Sequence, residues 1–489
     1  MRLSDLATAA GTIPEPGMDV EVTGFAIDNR KVAPGNVFGA FKGLKVNGED
    51  FIPAAISAGA VAIVARPEAR VEGAVHITDP LPRRAFAHLA ARFFAPFPET
   101  VVAVTGTNGK TSCVEMVRQL WRLAGHRAAS IGTLGITSQD ETVSTGMTTP
   151  DIVTFLATMS RLAREGVSHA AYEASSHGLA QFRNEGLPVA AGAFTNLSRD
   201  HLDYHADMEN YFAAKMRLFD EVVAEGGAAV VWTDEPWSDR AIAHVRESGL
   251  RLLTVGAKGE FLKLVGREPG LLGQILTIEH KGESHTIKLP LIGAYQAANA
   301  IVAAGLVMAT GGAPAQVFDS MARLQPVRGR LERAALTASG APVYIDYAHT
   351  PDAITAALEA LRPHAANRLF IVFGAGGDRD FGKRTPMGEA AAAGADVVIV
   401  TDDNPRGEDP AAIRAMVRLG CPEAEEIADR REAIAAAIAQ AGSDDIVLVA
   451  GKGHEQGQIV GSGACLTVLP FDDVTVAREL AGALGEKVI

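Results

Sequence analysis

Cysteine is scarce in this chain: Cys113, Cys421 and Cys465 are the only three in 489 residues. Their odd number and wide spacing argue against a disulfide framework, and no C-x-x-C pair offers a zinc site. Basic residues are outnumbered as well. Against 58 Asp and Glu stand 45 Lys and Arg, a net charge of −13. Such a field repels nucleic acid and anionic membrane surfaces, so an anionic small substrate needs a locally basic pocket. No apolar run approaches the ~18 residues of a membrane span. The start, Met1-Arg2-Leu3-Ser4-Asp5-Leu6, lacks the apolar segment of a secretory signal. These absences lead us to expect a cytoplasmic protein in a reducing compartment.

The apolar fraction of 47% and charged fraction of 21% exclude general disorder. At ~150 residues per domain the length suggests about three domains, each able to bury a core without staples. The 50 glycines gather at strand-to-helix turns instead of repeating, which excludes collagen-like and low-complexity chains. A first segment, 1–96, shows strand-like runs at Val20–Val22, Asn36–Phe41 and Ala60–Val64 and a helix over Arg84–Ala95. A second, 97–326, opens on Val101-Val102-Ala103-Val104, which suits a strand covered on both faces. Helical patterns then alternate with strand candidates at Ala170–Tyr172, Ala191–Phe194 and Ala228–Trp232, the mark of a doubly wound α/β domain. Residues 251–292 suggest an antiparallel excursion, and a helix follows over Tyr295–Gly311. The third segment, 327–489, repeats the theme with strands at Pro342–Asp346, Leu369–Gly374, Asp396–Thr401 and Asp445–Ala450. Each ends at a Gly- or Asp-rich turn, where ligands of open α/β sheets collect.

The strongest motif is Val104-Thr105-Gly106-Thr107-Asn108-Gly109-Lys110-Thr111-Ser112, directly after a strand and opening a helix. Its glycines let backbone N–H groups approach phosphate oxygens, and the helix N-terminus adds a positive dipole. Lys110 is placed for the β- and γ-phosphates and the Thr111 hydroxyl for Mg²⁺. Val104 stands where G-x-x-x-x-G-K-[ST] has its first Gly, so a plain Gly-rich turn with an exposed Lys is the alternative. A P-loop needs metal ligands, and Glu173, after Ala170-Ala171-Tyr172, is a carboxylate at a strand end. Asp200 and His201 lie in a polar loop after another strand; a lone His there is also an ordinary solvated or capping side chain. Lys215 sits among small and apolar residues at helical spacing, where a snorkelling lysine is the bland alternative. Asp403-Asn404-Pro405-Arg406 taken alone is a β-turn.

Together, Gly106-Thr-Asn-Gly-Lys-Thr111, Glu173-Ala-Ser-Ser-His-Gly178, Thr195-Asn-Leu-Ser-Arg-Asp-His-Leu-Asp-Tyr-His205 and Asp403-Asn-Pro-Arg406 resemble the Mur ligase family, in order and across all three segments. The resemblance implies an α/β fold of three domains: a small α/β N-terminal domain (1–96) for a UDP-substrate, a central P-loop, ATP-binding doubly wound sheet (97–326) and a C-terminal Rossmann-like α/β domain (327–489) for an amino acid. It implies a cytoplasmic, monomeric ATP-dependent carbon–nitrogen ligase of peptidoglycan synthesis. That enzyme would add meso-2,6-diaminopimelate to UDP-N-acetylmuramoyl-L-alanyl-D-glutamate through an acyl phosphate, with ATP as co-substrate and two Mg²⁺ ions. By position in the motifs, ATP falls to Gly106, Thr107, Asn108, Gly109, Lys110, Thr111 and Ser112, with Asn299, Arg330 and His349. Catalysis falls to Lys110, Glu173, His201 and Lys215. The metal falls to Thr111, Glu173, His201 and Lys215, the last as a carbamylated N6-carboxylysine.

The UDP-substrate falls to Ile27, Asn29, Thr148, Thr149, Ser175, Gln181 and Arg183. Position 29 is commonly Ser in the family, and Leu44-Lys45-Val46 replaces its usual polar loop. Diaminopimelate falls to Arg379, Asp403, Asn404, Pro405, Arg406, Gly451 and Glu455. Arg379 and Arg406 suit carboxylates, whereas Asp403, Asn404 and Glu455 are acceptors for an ammonium. A lysine-adding relative or a folylpolyglutamate-synthase-like ligase is the near alternative, and Arg406 disfavours the lysine type. A P-loop regulatory ATPase is the distant one. Lys452 and His454 read equally well as plain loop residues.

Overall fold

The computed structural model describes residues 1–7, 11–43, 46–143, 148–270 and 273–482. Four short parallel strands open it, β1 (Gly24–Ala26), β2 (Asn36–Gly39), β3 (Ala62–Ala65) and β4 (Val75–Thr78), in that spatial order. The helix Pro82–Phe94 lays Ala85, Phe86, Leu89 and Ala90 on this sheet, with Phe86 edge-on to Phe25 and Phe41. The expected strand at Val20–Val22 does not form; Glu21 makes only an isolated bridge to Arg2. Val22 is buried while Glu21 and Thr23 are exposed, so the run offers the core too little to hold a ladder.

The central sheet has eleven strands: β5 (Thr100–Thr105), β6 (Ala128–Gly132), β7 (Gly135–Thr137), β8 (Thr142–Val143), β9 (His169–Glu173), β10 (Val189–Phe194), β11 (Val223–Trp232), β12 (Arg251–Gly256), β13 (Leu262–Gly270), β14 (Gly273–His280) and β15 (Glu283–Leu289). Their order is β15-β14-β13-β12-β11-β10-β5-β9-β6-β7-β8. Val101 to Val104 are fully buried because helices cover both faces. Val101 and Ala103 pack with the helix Ile152–Arg164, and Val102 and Val104 with the helices Lys110–Leu123 and Ala294–Ala309. Each such Val contributes about 1.5–3 kcal/mol relative to exposure. The excursion expected over 251–292 starts later than that. β12 is parallel to β11, since Leu253 and Val255 join the core. Antiparallel pairing begins only between β13 and β14.

The third sheet is mixed, with order β16-β17-β21-β18-β19-β20. These are Glu332–Leu336, Pro342–Asp346, Leu369–Phe373, Val397–Val400, Glu425–Glu426 and Ile446–Ala450 for β16 to β21, followed by a hairpin of β22 (Gly457–Val460) and β23 (Thr467–Pro470). Only β16 runs antiparallel to its neighbour. In both large sheets the chain reverses its winding sense, beside β5 and beside β21, and crevices open at the carboxyl ends of such strands. Among the described residues no helix is long and apolar enough to cross a membrane.

Candidate active site

The loop Gly106–Gly109 carries the chain from β5 into the helix Lys110–Leu123. Gly109 has φ 86°, and a Cβ there would lie 2.4 Å from Asn299 Oδ1; only glycine fits. The loop is clamped from the end of β10. Asn108 N–H donates to Asn196 Oδ1 (2.8 Å), and the Asn108 carbonyl accepts from Thr195 Oγ1 (2.6 Å) and Asn196 Nδ2 (3.2 Å). Sequence reasoning missed this role of Thr195 and Asn196, although their place beyond a strand next to the P-loop strand was visible.

Two lysines meet on one carbonyl. Lys110 Nζ donates to Gly106 O (2.9 Å) and Thr107 O (2.8 Å), and Lys215 Nζ donates to the same Gly106 O (2.7 Å). Lys215 is 1% exposed and its Nζ lies 4.3 Å from the Tyr211 ring centre. Burial pushes both amines below the ordinary lysine range, Lys215 far below, where Lys110 adds its repulsion. A snorkelling lysine keeps its head in water; this one does not.

Glu173 ends β9 in register with Val104 and is 1% exposed. Its carboxylate accepts from Thr133 N–H (2.7 Å) and Thr133 Oγ1 (3.2 Å). The Thr111 hydroxyl accepts from Arg330 Nη2 (3.0 Å), and the Arg330 guanidinium stacks 4.5 Å from the Tyr347 ring centre. Thr111 and Glu173 are hard oxygen donors of the kind Mg²⁺ takes. Among the described residues no three His, Cys, Asp or Glu side chains form a ready cation cage. The residues present thus offer Thr111 and Glu173 as oxygen donors without a preformed cage, and Lys215 would add an anionic donor near His201 only if its amine were modified.

His201 sits at φ 56°, its Nε2 3.6 Å from Asp200 Oδ2. Burial pushes its pKa down to about 4 against the pull of Asp200, so the ring is neutral at pH 7. His349 is pushed to about 4 by burial and then by Lys383, and its Nδ1–H donates to Tyr347 O (2.8 Å). Burial pushes the Asp200 carboxyl up, but His201, His349 and Lys383 outweigh it and hold it below the usual range. The second and third lobes thus face each other through charge.

Between them lies a cleft of about 1690 Å³. Its walls carry Thr148, Thr149, Ser175, Arg183 and His201 on one side, and His349, Arg379, Asp403, Asn404, Arg406, Gly451 and Glu455 on the other. Thr149 Oγ1 donates to Glu173 O (2.9 Å), and Arg183 donates to Thr149 O (3.0 Å) and Gln181 Oε1 (2.6 Å). Burial, then proximity to Arg183, depresses Arg83 from the N-terminal helix, so a second guanidinium stands near Arg183, although Arg83 itself does not line the cleft; Arg83 had no signal in the sequence. The P-loop residues, Glu173, Lys215, Gln181, Asn299 and Arg330 do not line the cleft. Pro405 presses its carbonyl toward Gly377. Ile27 and Asn29 are half-buried just past β1, away from these walls. Leu44 and Lys45 lie outside the described residues; Val46 is exposed.

In the third lobe one expectation changes. Asn404 Oδ1 accepts from Lys452 Nζ (2.9 Å) and from Ile459 N–H (2.9 Å). Both partners are donors only, so the amide orientation is settled, and Nδ2 donates to Glu455 Oε2 (2.8 Å). Asn404 has no acceptor to spare for an ammonium. Lys452 is fully buried, unlike a plain loop residue. Arg406 sits at φ 51° with Nη1 donating to Gly377 O (2.8 Å), and burial and then Arg379 lower its affinity for its proton.

Comparison with known proteins covers the same three lobes. Residues 21–94 match the Mur ligase family catalytic domain, 104–307 the Mur ligase middle domain, and 329–453 the Mur ligase glutamate ligase domain. The UDP-N-acetylmuramoyl-L-alanyl-D-glutamate--2,6-diaminopimelate ligase of Zymomonas mobilis subsp. mobilis is 61% identical over 478 residues, 98% of each chain. The protein of that name from Bradyrhizobium diazoefficiens is 50% identical over 496 aligned positions, covering 100% of both. A solved structure of a protein with that name superposes with TM-score 0.72 at 32% identity, over 99% of each chain.

Proposed function

Since the chain belongs to the Mur ligase family, we infer that it is an ATP-dependent ligase that joins 2,6-diaminopimelate to UDP-N-acetylmuramoyl-L-alanyl-D-glutamate in peptidoglycan synthesis. The observation that carries this reading is the cleft with Ser175, Arg183 and His201 on one wall and Arg379, Asp403 and Arg406 on the other. In it an activated acid can meet an amine.

A carboxylate and an amine do not condense at neutral pH without a leaving group. The D-glutamate γ-carboxylate oxygen attacks the γ-phosphorus of ATP, and ADP departs. The diaminopimelate amine then attacks the acyl carbon, phosphate leaves with the C–O bonding electrons, and the nitrogen gives up one proton, which the departing phosphate can carry away. Gly106 and Gly109 let backbone N–H groups reach the phosphates, and Lys110 meets their charge. Magnesium, when bound, neutralises the transferring phosphoryl group; Thr111 and Glu173 would hold one ion, His201 and Lys215 a second. For that, the neutral Lys215 amine bonds to the carbon of CO₂ and releases a proton, turning a buried base into an anion that Lys110 compensates. Asn299 backs Gly109, and Arg330 and His349 bring the third lobe to the nucleotide.

Thr148, Thr149, Ser175, Gln181 and Arg183 hold the muramyl peptide, with Ile27 and Asn29 at the uridine end. Arg83 and Arg183 form the locally basic surface that an acidic protein needs for a diphosphate. Arg379 and Arg406 take carboxylates of the meso amino acid, and Asp403 and Glu455 its distal ammonium. In this scheme residues 1–96 serve the UDP group, 97–326 ATP and 327–489 the amino acid, in a cytoplasmic monomer. An amino-acid panel assayed with ATP and the UDP-muramyl dipeptide, read by product mass, tests it. Diaminopimelate should give the tripeptide; equal product from L-lysine, or phosphate release with no amino acid present, would refute it.

A further inference from the structure

Among the described residues two lysines are buried, Lys215 and Lys452, and the chemistry above leaves the second without a part. It follows β21 in the turn Gly451-Lys452-Gly453, whose glycines have φ of 110° and 56°. Lys452 Nζ donates to Asn404 Oδ1 (2.9 Å) and Glu455 Oε2 (3.2 Å) and lies 3.7 Å from Asp403 Oδ1. Two consequences follow. The Asn404 oxygen is saturated by Lys452 and the Ile459 N–H, so the amide cannot turn over, and after its bond to Glu455 one Nδ2 hydrogen remains. In charge, Asp403 and Glu455 contribute two negatives and Lys452 one positive, leaving one net negative beside the two positives of Arg379 and Arg406. An amino acid with two carboxylates, one ammonium and one unprotonated attacking amine is the complement of that set. An amino acid with a single carboxylate leaves one arginine unmatched.

We propose that Lys452 is a positioning and specificity-determining residue for the amino-acid substrate. It holds the Asn404 amide with its oxygen inward and trims the Asp403–Glu455 pair to one net negative charge, so that the pocket prefers two carboxylates with one ammonium. The inference rests on the reading of this pocket as the diaminopimelate site.

The test is steady-state kinetics of the full chain with diaminopimelate, L-lysine, ATP and the UDP-dipeptide varied in turn. Lys452→Met should raise KM for diaminopimelate by about tenfold or more and lower the preference for diaminopimelate over L-lysine, with both other KM values unchanged. Adding Glu455→Gln restores the single negative charge and should recover part of the loss, a coupling that a merely structural lysine would not show. An unmoved KM for diaminopimelate, a common shift in all three, or a double variant worse than the single would overturn the proposal. If Lys452→Met shows no cooperative thermal transition, Lys452→Arg is read instead. It keeps the charge and reshapes the Asn404 contact, so KM should rise for diaminopimelate alone; no rise, or a rise in all three, overturns the proposal equally. If the wild-type enzyme adds no diaminopimelate, the reading of the pocket fails; wild-type turnover with an unmoved Lys452→Met KM defeats this inference alone.

Discussion

Lys215 offers the sharpest perturbation of the phosphate site. Its amine donates to Gly106 O at 2.7 Å, next to Lys110, in a place almost closed to solvent. If it carries the anionic head that a second ion needs, Lys215→Ala removes a preorganised electrostatic group, and kcat should fall by about 10²–10³. Formate or acetate can enter the space left by the truncated side chain and should restore part of the rate, read as phosphate release with the UDP-dipeptide and diaminopimelate. Stability should move the other way. In CO₂-depleted buffer the folded-state pKa lies well below the ordinary lysine value, so folding releases a proton that the unfolded chain would keep. The penalty is complete below the folded pKa and shrinks to nothing as pH rises toward the unfolded value of about 10.4. Lys215→Met, which keeps the volume and drops the amine, should therefore melt higher than wild type near pH 7, with the gain fading toward alkaline pH. Full activity of Lys215→Ala, or a Met variant that melts lower at every pH, would refute the reasoning.

Arg406→Ala removes a carboxylate partner that is pinned by its bond to Gly377 O; kcat/KM for diaminopimelate should drop by an amount equivalent to about 2–5 kcal/mol while nucleotide titration stays unchanged, and equal turnover would sink the assignment. Gly109→Ala forces a Cβ to 2.4 Å from Asn299 Oδ1 at φ 86°, a strain of about 1–3 kcal/mol that should show as weaker ATP binding and a lower Tm; a wild-type titration would count against it. Asp473→Ala strips Arg430 of a buried bidentate partner, with both bonds at 2.7 Å. Denaturant unfolding should find about 3–5 kcal/mol lost. Because Arg430 also donates to Ala450 O (2.9 Å) just before Gly451, KM for the amino acid should rise too, and a loss confined to the experimental error would dismiss the idea.

Local patterns carried much of the fold. The run Val101–Val104 identified a two-sided buried strand because such a strand needs no polar face, and it stands inside the central sheet between β10 and β9. The helix expected over Arg84–Ala95 runs Pro82–Phe94, since a proline at the first turn loses no hydrogen bond. Where the pattern was short, neighbours decided. Val20–Val22 has one well-buried side chain, and β12, whose Leu253 and Val255 join the core, pairs in parallel with β11.

The chemistry divides along the same line. Residue order was enough to announce a P-loop, an acidic strand end, the run Asp-Asn-Pro-Arg and the family these belong to, because each motif is a contiguous run whose function depends on its own backbone. Contacts between distant runs were a matter of tertiary structure. Arg330 reaches Thr111 across 219 positions, and Lys110 and Lys215 share one carbonyl. Lys452 settles which way Asn404 faces. Desolvation and the count of donors around an atom depend on everything that surrounds it, and a linear string of residue types does not contain that neighbourhood.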